Sequence, residues 1–225
     1  MDDCIVVSRL TKVVQAPEGP LTILQDINLK VKPGEALVIT GESGSGKTTL
    51  MGLMAGLDKA TQGEVTLLGE NLTDKNEEQR AAIRKGRVGF VFQSFHLVTG
   101  ATAMQNVMLP LELSGHKNAY QHAEQVLQSV GLGQRLNTAV ELLSGGEQQR
   151  VAIARAYAVE PAILFADEPT GNLDTRTGQQ ITDLLFTLRD RFGTSLILVT
   201  HEERLAERGD RQIKMIQGQL SDQSA

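Results

Sequence analysis

One glycine-rich segment constrains the fold of this chain more than any other feature, Gly41-Glu42-Ser43-Gly44-Ser45-Gly46-Lys47-Thr48. It follows the apolar segment 36–40, typical of a strand buried on both faces, and it opens a predicted helix from Lys47 to about Gly56. Glycines let the backbone approach a ligand closely, so that consecutive N–H groups face an anion at the positive end of the helix. The segment therefore predicts a phosphate-binding loop, in which Lys47 reaches the β- and γ-phosphates of a nucleotide and Thr48 holds Mg²⁺. A purely structural glycine turn is the weaker alternative, and the loop alone does not distinguish kinases, GTPases, helicases and transport ATPases.

Alternating strand and helix patterns predict the fold class. Half-buried antiparallel strands are expected at 5–7 and 21–31, and further strands at 65–68, 88–92, 163–166, 195–200 and, as an edge hairpin, 213–216. Asp74 with Glu77 predicts the start of a helix that runs to about Arg84, and the pattern from Phe95 to Val159 is helical. We therefore predict an α/β fold with a mostly parallel core sheet, an N-terminal antiparallel β-subdomain and an inserted helical subdomain.

The length of 225 residues suits a single domain of this kind. We expect residues 1–93 and 160–225 to form its core and antiparallel parts, and residues 94–159, approximately, to form the helical part. No apolar run is long enough to cross a bilayer, so any work at a membrane requires a separate membrane subunit.

Composition narrows the classes of partner. The formal net charge is −5, which argues against nucleic acid as the main partner because phosphate neutralisation requires a clustered excess of Lys and Arg. The single cysteine, Cys4, cannot form an intrachain disulfide, and we interpret it as a small apolar residue of the first strand.

Two carboxylates follow the apolar strand at 163–166. Asp167 and Glu168 lie at its carboxyl end, the side on which α/β folds bind ligands, and successive strand residues point in opposite directions. We expect Asp167 to hold Mg²⁺ through water and Glu168 to orient or deprotonate the attacking water. Without the phosphate loop, a solvated strand end would be the default interpretation.

A third motif is Leu143-Ser144-Gly145-Gly146-Glu147-Gln148-Gln149-Arg150. Ser144 and Glu147 have the spacing of a capping box, which by itself predicts only the start of a helix. Two glycines behind the capping serine also leave N–H groups at a helix N-terminus, where an anion can bind.

With this motif the chain resembles the ATP-binding subunits of ABC transporters, whose signature is similar to LSGGEQQR. The resemblance covers essentially the whole chain and implies an ATPase that uses ATP and Mg²⁺ and works as a homodimer. It implies that Ser144, Gly145 and Gly146 complete the nucleotide site of a second copy, with Ser144 and Gly146 at the γ-phosphate, and that Thr49 belongs to the phosphate loop's binding residues.

Other elements of that family follow in order. Gln93 resembles the glutamine that reaches Mg²⁺ and water and couples to the membrane subunit. The segment Gly171-Asn172-Leu173-Asp174 resembles the loop that crosses the dimer interface, and His201 resembles the switch histidine that holds the γ-phosphate and water. By the same resemblance the chain would be cytoplasmic, bound to the inner face of a bacterial inner membrane through its permease.

Within the family, the stretches Gly89–Phe95 and Ala166–Asp174 resemble the subgroup of lipoprotein-releasing and macrolide-exporting systems (LolD and MacB), and YbbA-type ATPases above all. In one respect the chain departs from the family. An aromatic residue usually stacks on adenine near the end of the first strand, whereas this chain has Val13 and Val14 there, and Val14 can cover the base only by apolar contact.

Two alternatives remain open at this stage. A regulatory ABC ATPase of the cell-division type would share the nucleotide chemistry and control a membrane partner without moving a substrate. A soluble kinase would need an acceptor-binding lid and no signature segment, which Leu143–Glu147 argues against.

Overall fold

The computed structural model describes residues 2–222, apart from the side chains of Glu203, Arg204 and Asp222. The chain forms two compact units, and we describe each by itself. The first contains the segments up to Arg84 and from Ser195 onwards, and the second is Lys85–Thr194. The division of the chain at 93/94 and 159/160 stays a prediction.

An antiparallel sheet occupies the N-terminal part of the first unit. Strand β1 (Ile5–Ala16) pairs with β2 (Gly19–Val31) on one side and β4 (Gln62–Leu67) on the other, and β5 (Glu70–Asn71) forms the far edge. The predicted antiparallel pairing is confirmed. The strands are longer than the sequence pattern indicated, because register shifts between Val7 and Val13 interrupt the alternation of buried and exposed residues.

Mostly parallel strands form the rest of the first unit. Strand β3 (Ala36–Thr40) lies between β8 (Ser195–Val199) and β9 (Arg211–Ile216) and runs parallel to both, and β10 (Gln219–Asp222) closes the edge antiparallel to β9. Every residue of β3 and β8 is buried, as their apolar sequences predicted. The helices of this unit are α1 (Lys47–Met54), α2 (Glu77–Arg84) and the short α7 (Glu203–Ala206).

The predicted cap of α2 was wrong. The helix begins at Glu77, where Asn76 and Gln79 exchange reciprocal side-chain to backbone hydrogen bonds of 2.9 Å. Glu77 instead forms ion pairs with Arg80 and Arg84 at 3.0 and 2.7 Å. The same three-residue spacing occurs at Asp74–Glu77 and at Asn76–Gln79. Because the Glu77 carboxylate pairs with the two arginines, the second pair forms the cap.

The second unit joins two parallel strands to a group of helices. Strands β6 (Val88–Phe92) and β7 (Ile163–Asp167) pair in parallel, and the helices are α3 (Ala103–Leu113), α4 (Ala119–Ser129), α5 (Gly145–Tyr157) and α6 (Thr175–Phe192), with a 3₁₀ turn at Val140–Leu142. Gly131, with φ +81°, lies just after α4, where the sequence placed the helix end. Within residues 2–222, no helix is both long enough and apolar enough to span a membrane. The predicted α/β class is confirmed.

Candidate functional site

The glycine-rich loop of the first unit has the features of an anion site. It connects β3 to α1, and the residue that precedes the helix, Gly46, offers no side chain to cap the first N–H groups. The Lys47 Nζ donates to the carbonyl oxygens of Gly41 and Glu42, each at 2.8 Å, so the ammonium lies folded over the loop. The Ser45 hydroxyl is buried and has no hydrogen-bond partner among residues 2–222. An uncapped helix terminus, a lysine and an orphaned hydroxyl together fit the phosphates of ATP.

His201 and the loop lie at the same edge of the first unit's parallel strands. In the pairing of β3 with β8, Ile39 lies opposite Val199, and the Thr200 N–H donates to the Ile39 carbonyl at 3.2 Å. Gly41 and His201 both come two residues after that pair, so the carboxyl ends of the two strands bring them to one edge. Thr48 and Thr49 belong to the first turn of α1 in the same unit.

Val14 lies on the hairpin of β1 and β2, directly opposite Leu21. Both side chains are partly exposed, Val14 by 36% and Leu21 by 51%, so the two present an aliphatic surface. No aromatic side chain takes part in this pair.

In the second unit, strand pairing brings the acidic pair and the glutamine to one edge. Phe92 of β6 lies opposite Asp167 of β7, so Gln93 and Glu168 each come one residue beyond the same parallel pair. Asp167 and Glu168 are both half-buried. Glu168 has φ +46°, a left-handed conformation that costs a residue with a Cβ about 1 kcal/mol or more and that is concentrated at functional sites.

Two hydrogen bonds hold Gln93 against Asn172, a contact that the sequence did not predict. The Gln93 Nε2 donates to the Asn172 Oδ1, and the Asn172 Nδ2 donates to the Gln93 carbonyl oxygen, both at 3.0 Å. Gly171 makes room for this pair, since a Cβ there would lie 2.8 Å from the Gln93 Nε2. The two loops that follow β6 and β7 are therefore tied together.

Arg155 of α5 supports the segment that follows Gln93. Its guanidinium donates to the carbonyl oxygens of His96 at 2.6 Å and Phe95 at 3.0 Å. Phe95 and His96 have φ values of +59° and +48°, so the arginine holds two strained residues in place. Burial lowers the pKa of Arg155 from its ordinary value. Its role was not visible in the sequence because the bonded residues are about 60 positions apart.

The signature segment forms the predicted capping box at the start of α5. The Ser144 Oγ accepts from the Glu147 N–H, and the Glu147 carboxylate accepts from the Ser144 N–H at 2.9 Å and from its Oγ at 2.8 Å. The Ser144 backbone N–H is the main cause of a lowered Glu147 pKa, followed by the Ser144 hydroxyl. Gly146 packs against α6 so closely that a Cβ there would lie 2.5 Å from the Thr177 Cγ2. Glycine at position 146 is therefore needed for the packing of α5 against α6, and not only for the approach of a ligand.

Asp174 caps α6, so its carboxylate has a structural task. The Oδ1 accepts from the N–H groups of Arg176 and Thr177, each at 3.1 Å. The Thr177 side chain is the first cause of a lowered Asp174 pKa, and backbone N–H groups add to it.

The structure gathers the predicted site residues into two groups. In the first unit these are the glycine-rich loop with Thr49, Val14 and His201. In the second they are Gln93, Ser144, Gly145, Gly146, Asp167 and Glu168. The predicted metal ligands Thr48, Gln93 and Asp167 carry hydroxyl, amide and carboxylate oxygens, the kind of ligand that Mg²⁺ prefers.

Known proteins match the chain over nearly its full length. The ABC transporter family model matches residues 24–171. The chain is 48% identical over 225 residues to the uncharacterized ABC transporter ATP-binding protein YbbA of Escherichia coli K12, covering 99% of both chains. It is 44% identical over 203 residues to the lipoprotein-releasing system ATP-binding protein LolD of Francisella tularensis (strain FSC 198), covering 89% of this chain and 88% of LolD. These relatives confirm the resemblance to the subgroup.

Two solved structures have the same fold. They are the dimeric structure of MJ0796, a bacterial ABC transporter cassette, and a dimeric post-hydrolysis state of the same cassette bound to ADP and Pi. Each is 36% identical to this chain with a TM-score of 0.89, covering 98% of this chain and 99% of the other. The chain therefore belongs to the ABC transporter family as its ATP-binding cassette, an ATPase whose cofactors are ATP and Mg²⁺.

Proposed function

We propose that the chain powers a separate membrane permease by binding and hydrolysing ATP as a homodimer, and that the complex extracts or releases a lipidic or hydrophobic substrate or a lipoprotein. The observation that carries the proposal is the left-handed Glu168 directly after β7, one residue beyond a strand pair that also positions Gln93. Strain maintained at that residue fits a carboxylate held for chemistry.

In this proposal the chain's residues divide the work on the nucleotide. The binding residues are Gly41, Glu42, Ser43, Gly44, Ser45, Gly46, Lys47, Thr48 and Thr49, with Val14 at the base. Thr48, Gln93 and Asp167 would hold Mg²⁺. Bound MgATP would supply the phosphoryl group, while Glu168 orients or deprotonates the attacking water, assisted by Gln93 and His201.

The dimer is part of the same proposal. Ser144, Gly145 and Gly146 of one copy would complete the nucleotide site of the other, so that ATP joins the two copies and hydrolysis releases them. The likeness to MJ0796, whose solved structures are dimeric, supports this arrangement. The N–H groups of Gly145 and Gly146, which the capping box of Ser144 and Glu147 does not use, are chemically suited to a phosphate.

The permease would dock on the segment from Gln93 to Leu113 in the second unit. Leu109 and Leu113 of α3 are exposed by 40% and 64%, a large apolar exposure for one short helix. Lipoprotein release is suggested by the similarity to LolD, which is named for a lipoprotein-releasing system. With such a permease the chain would lie on the cytoplasmic face of a bacterial inner membrane.

A pair of glutamate substitutions tests the catalytic assignment. Glu168→Gln should bind ATP and form a stable dimer, while its hydrolysis rate falls by about 10² or more because the carboxylate that acts on water is lost. Glu160→Gln is the matched control, since Glu160 is also a left-handed glutamate, with φ +47°, and is exposed. Equal turnover by Glu168→Gln and the wild type would refute the assignment.

Isolation of the chain from mild detergent, with identification of the co-purifying membrane protein, tests the proposed partner. Leu113→Glu should abolish recovery of that protein and leave the ATPase activity of the isolated chain intact. Leu57→Glu, which alters a residue of the first unit exposed by 44%, should keep the complex. A partner that stimulates ATP hydrolysis but releases no lipid or lipoprotein from membrane vesicles would instead favour the regulatory type of ABC ATPase.

A further inference from the structure

The phosphate loop is hydrogen-bonded to a turn that lies far away in the sequence. The Gly218 N–H, in the turn between β9 and β10, donates to the Ser45 carbonyl oxygen at 3.0 Å. The Gly218 carbonyl in turn accepts from the Gln25 N–H of β2 at 2.9 Å. One residue thus links the phosphate loop to the antiparallel sheet by both of its backbone groups, all within the first unit.

Close backbone contacts accompany these hydrogen bonds. A Cβ on Gly41 would collide with the carbonyl oxygen of Met215, the buried methionine near the end of β9. A Cβ on Gly46 would lie 2.8 Å from the Leu24 Cδ2 and 3.1 Å from the Ile23 carbonyl oxygen. The first and last glycines of the loop are therefore packed against β9 and β2, which leaves the two ends of the loop little room to relax.

The turn has a fixed geometry of its own. Ile216 pairs with Gln219, so Gln217 and Gly218 form a two-residue hairpin loop, and their φ values of +46° and +77° are those of a type I′ turn. A Cβ on Gly218 would also collide with the Ile23 carbonyl oxygen. Only glycine at this position satisfies both the turn and the contact with β2.

We propose that the β9–β10 turn is a positioning element for nucleotide binding. It holds Ser45 and Gly46 in the conformation that receives phosphate, and Gly218 sets the affinity for nucleotide without touching it. The inference rests on the proposed binding of phosphate by Gly41–Thr48. A turn that merely closes the sheet would contribute to stability alone.

The chain contains a matched control turn. Leu68 and Gly69 connect β4 to β5 as another two-residue loop, with Leu67 paired to Glu70 and φ values of +51° and +82°. An added Cβ on Gly69 would have no atom within 4 Å. Gly69→Ala therefore introduces the same left-handed strain as Gly218→Ala but disturbs no contact with the phosphate loop.

The experiment compares the two variants in the full chain. ADP affinity is measured by calorimetry with Mg²⁺, and KM and kcat are measured for ATP. We expect Gly218→Ala to bind ADP roughly ten-fold more weakly and to raise the KM for ATP by a similar factor, with kcat within about two-fold, since the loss corresponds to about one hydrogen bond. Gly69→Ala should retain wild-type affinity and lower Tm less than Gly218→Ala, because its added Cβ meets no atom within 4 Å.

Equal ADP affinities in the two variants, or a fall in kcat with KM unchanged, would overturn the inference. Hydrogen exchange on the wild type gives a test that does not depend on a variant's folding. The amides of Gly218 and Gln25 should become more protected on ADP binding, whereas unchanged protection would count against the link. If the wild-type chain itself binds no ADP, the proposed function is refuted as well. If the wild type binds ADP and only the comparison of the variants fails, the inference about the turn alone is refuted.

Discussion

Replacement of Gly146 by alanine is expected to separate two roles of this glycine, its packing against α6 and its proposed contact with the nucleotide. The added Cβ would lie 2.5 Å from the Thr177 Cγ2, about 1 Å closer than an ordinary van der Waals contact, so the start of α5 or the methyl group must move. Overpacking of this kind costs about 1–3 kcal/mol, and the better helix propensity of alanine returns about 0.5–1 kcal/mol. The net loss, about 1.25 kcal/mol at the middle of these ranges, should lower Tm by about 2.5–5 °C for a chain of this size.

Two further variants identify the cause of that loss. Thr177→Ser removes the methyl group and keeps the hydroxyl that serves Asp174, so Gly146→Ala with Thr177→Ser should recover most of the lost stability. Gly145→Ala is the neighbouring control, because its Cβ would lie 3.4 Å from the Leu173 Cδ2 and needs no rearrangement. It should leave Tm unchanged or slightly raised.

Thermal unfolding followed by circular dichroism, together with ATPase rates, measures both roles. If the double variant is as unstable as Gly146→Ala alone, the contact with Thr177 is not the cause and the reasoning fails. If its stability recovers while hydrolysis stays low, the absence of a side chain at Gly146 matters to the nucleotide site as well as to helix packing.

Three other predictions follow from single contacts. Asn172→Ala removes both hydrogen bonds to Gln93, so kcat should fall roughly three- to ten-fold with the KM for ATP unchanged; an unaltered kcat would show that the pair is dispensable. Asp174 has a lowered pKa, so its stabilisation is complete above its ordinary pKa and is lost as pH falls through the lowered value. Urea unfolding of Asp174→Asn should therefore show a weaker loss of stability than the wild type below about pH 4, and parallel curves would contradict the assignment. Tyr157→Phe should change the free energy of unfolding by less than about 1 kcal/mol, since the hydroxyl lies 3.5 Å from the Leu185 carbonyl; a larger loss measured by urea would point to a stronger bond.

Short-range signals in the sequence predicted much of the fold and part of the site. The strand, glycine-rich loop and helix from 36 to 54, and the capping box of Ser144 and Glu147, depend on residues a few positions apart, and both are present. The start of α2 was misplaced because two overlapping pairs satisfy the same capping rule. The ion pairs of Glu77 with Arg80 and Arg84, three and seven residues further along the same helix, engage its carboxylate and favour the second pair.

Long-range contacts account for what the sequence did not reveal. Gln93 and Asn172 are 79 positions apart, and Arg155 reaches carbonyl groups about 60 positions away, so no local pattern indicates either contact. Backbone carbonyls also carry no sequence signature, because every residue has one. The function of Gly146 in packing was hidden for a related reason, since a glycine does not indicate which neighbour needs the space.

The resting position of Lys47 has a consequence for ligand selection. Its ammonium already donates to two carbonyl oxygens, so an incoming anion must compete with these acceptors rather than meet a bare charge. A monovalent ion such as chloride gains little by this exchange, whereas a polyphosphate replaces neutral acceptors with charged ones and uses the uncapped helix end as well. We therefore expect the loop to bind ligands with several negative charges in preference to monovalent anions.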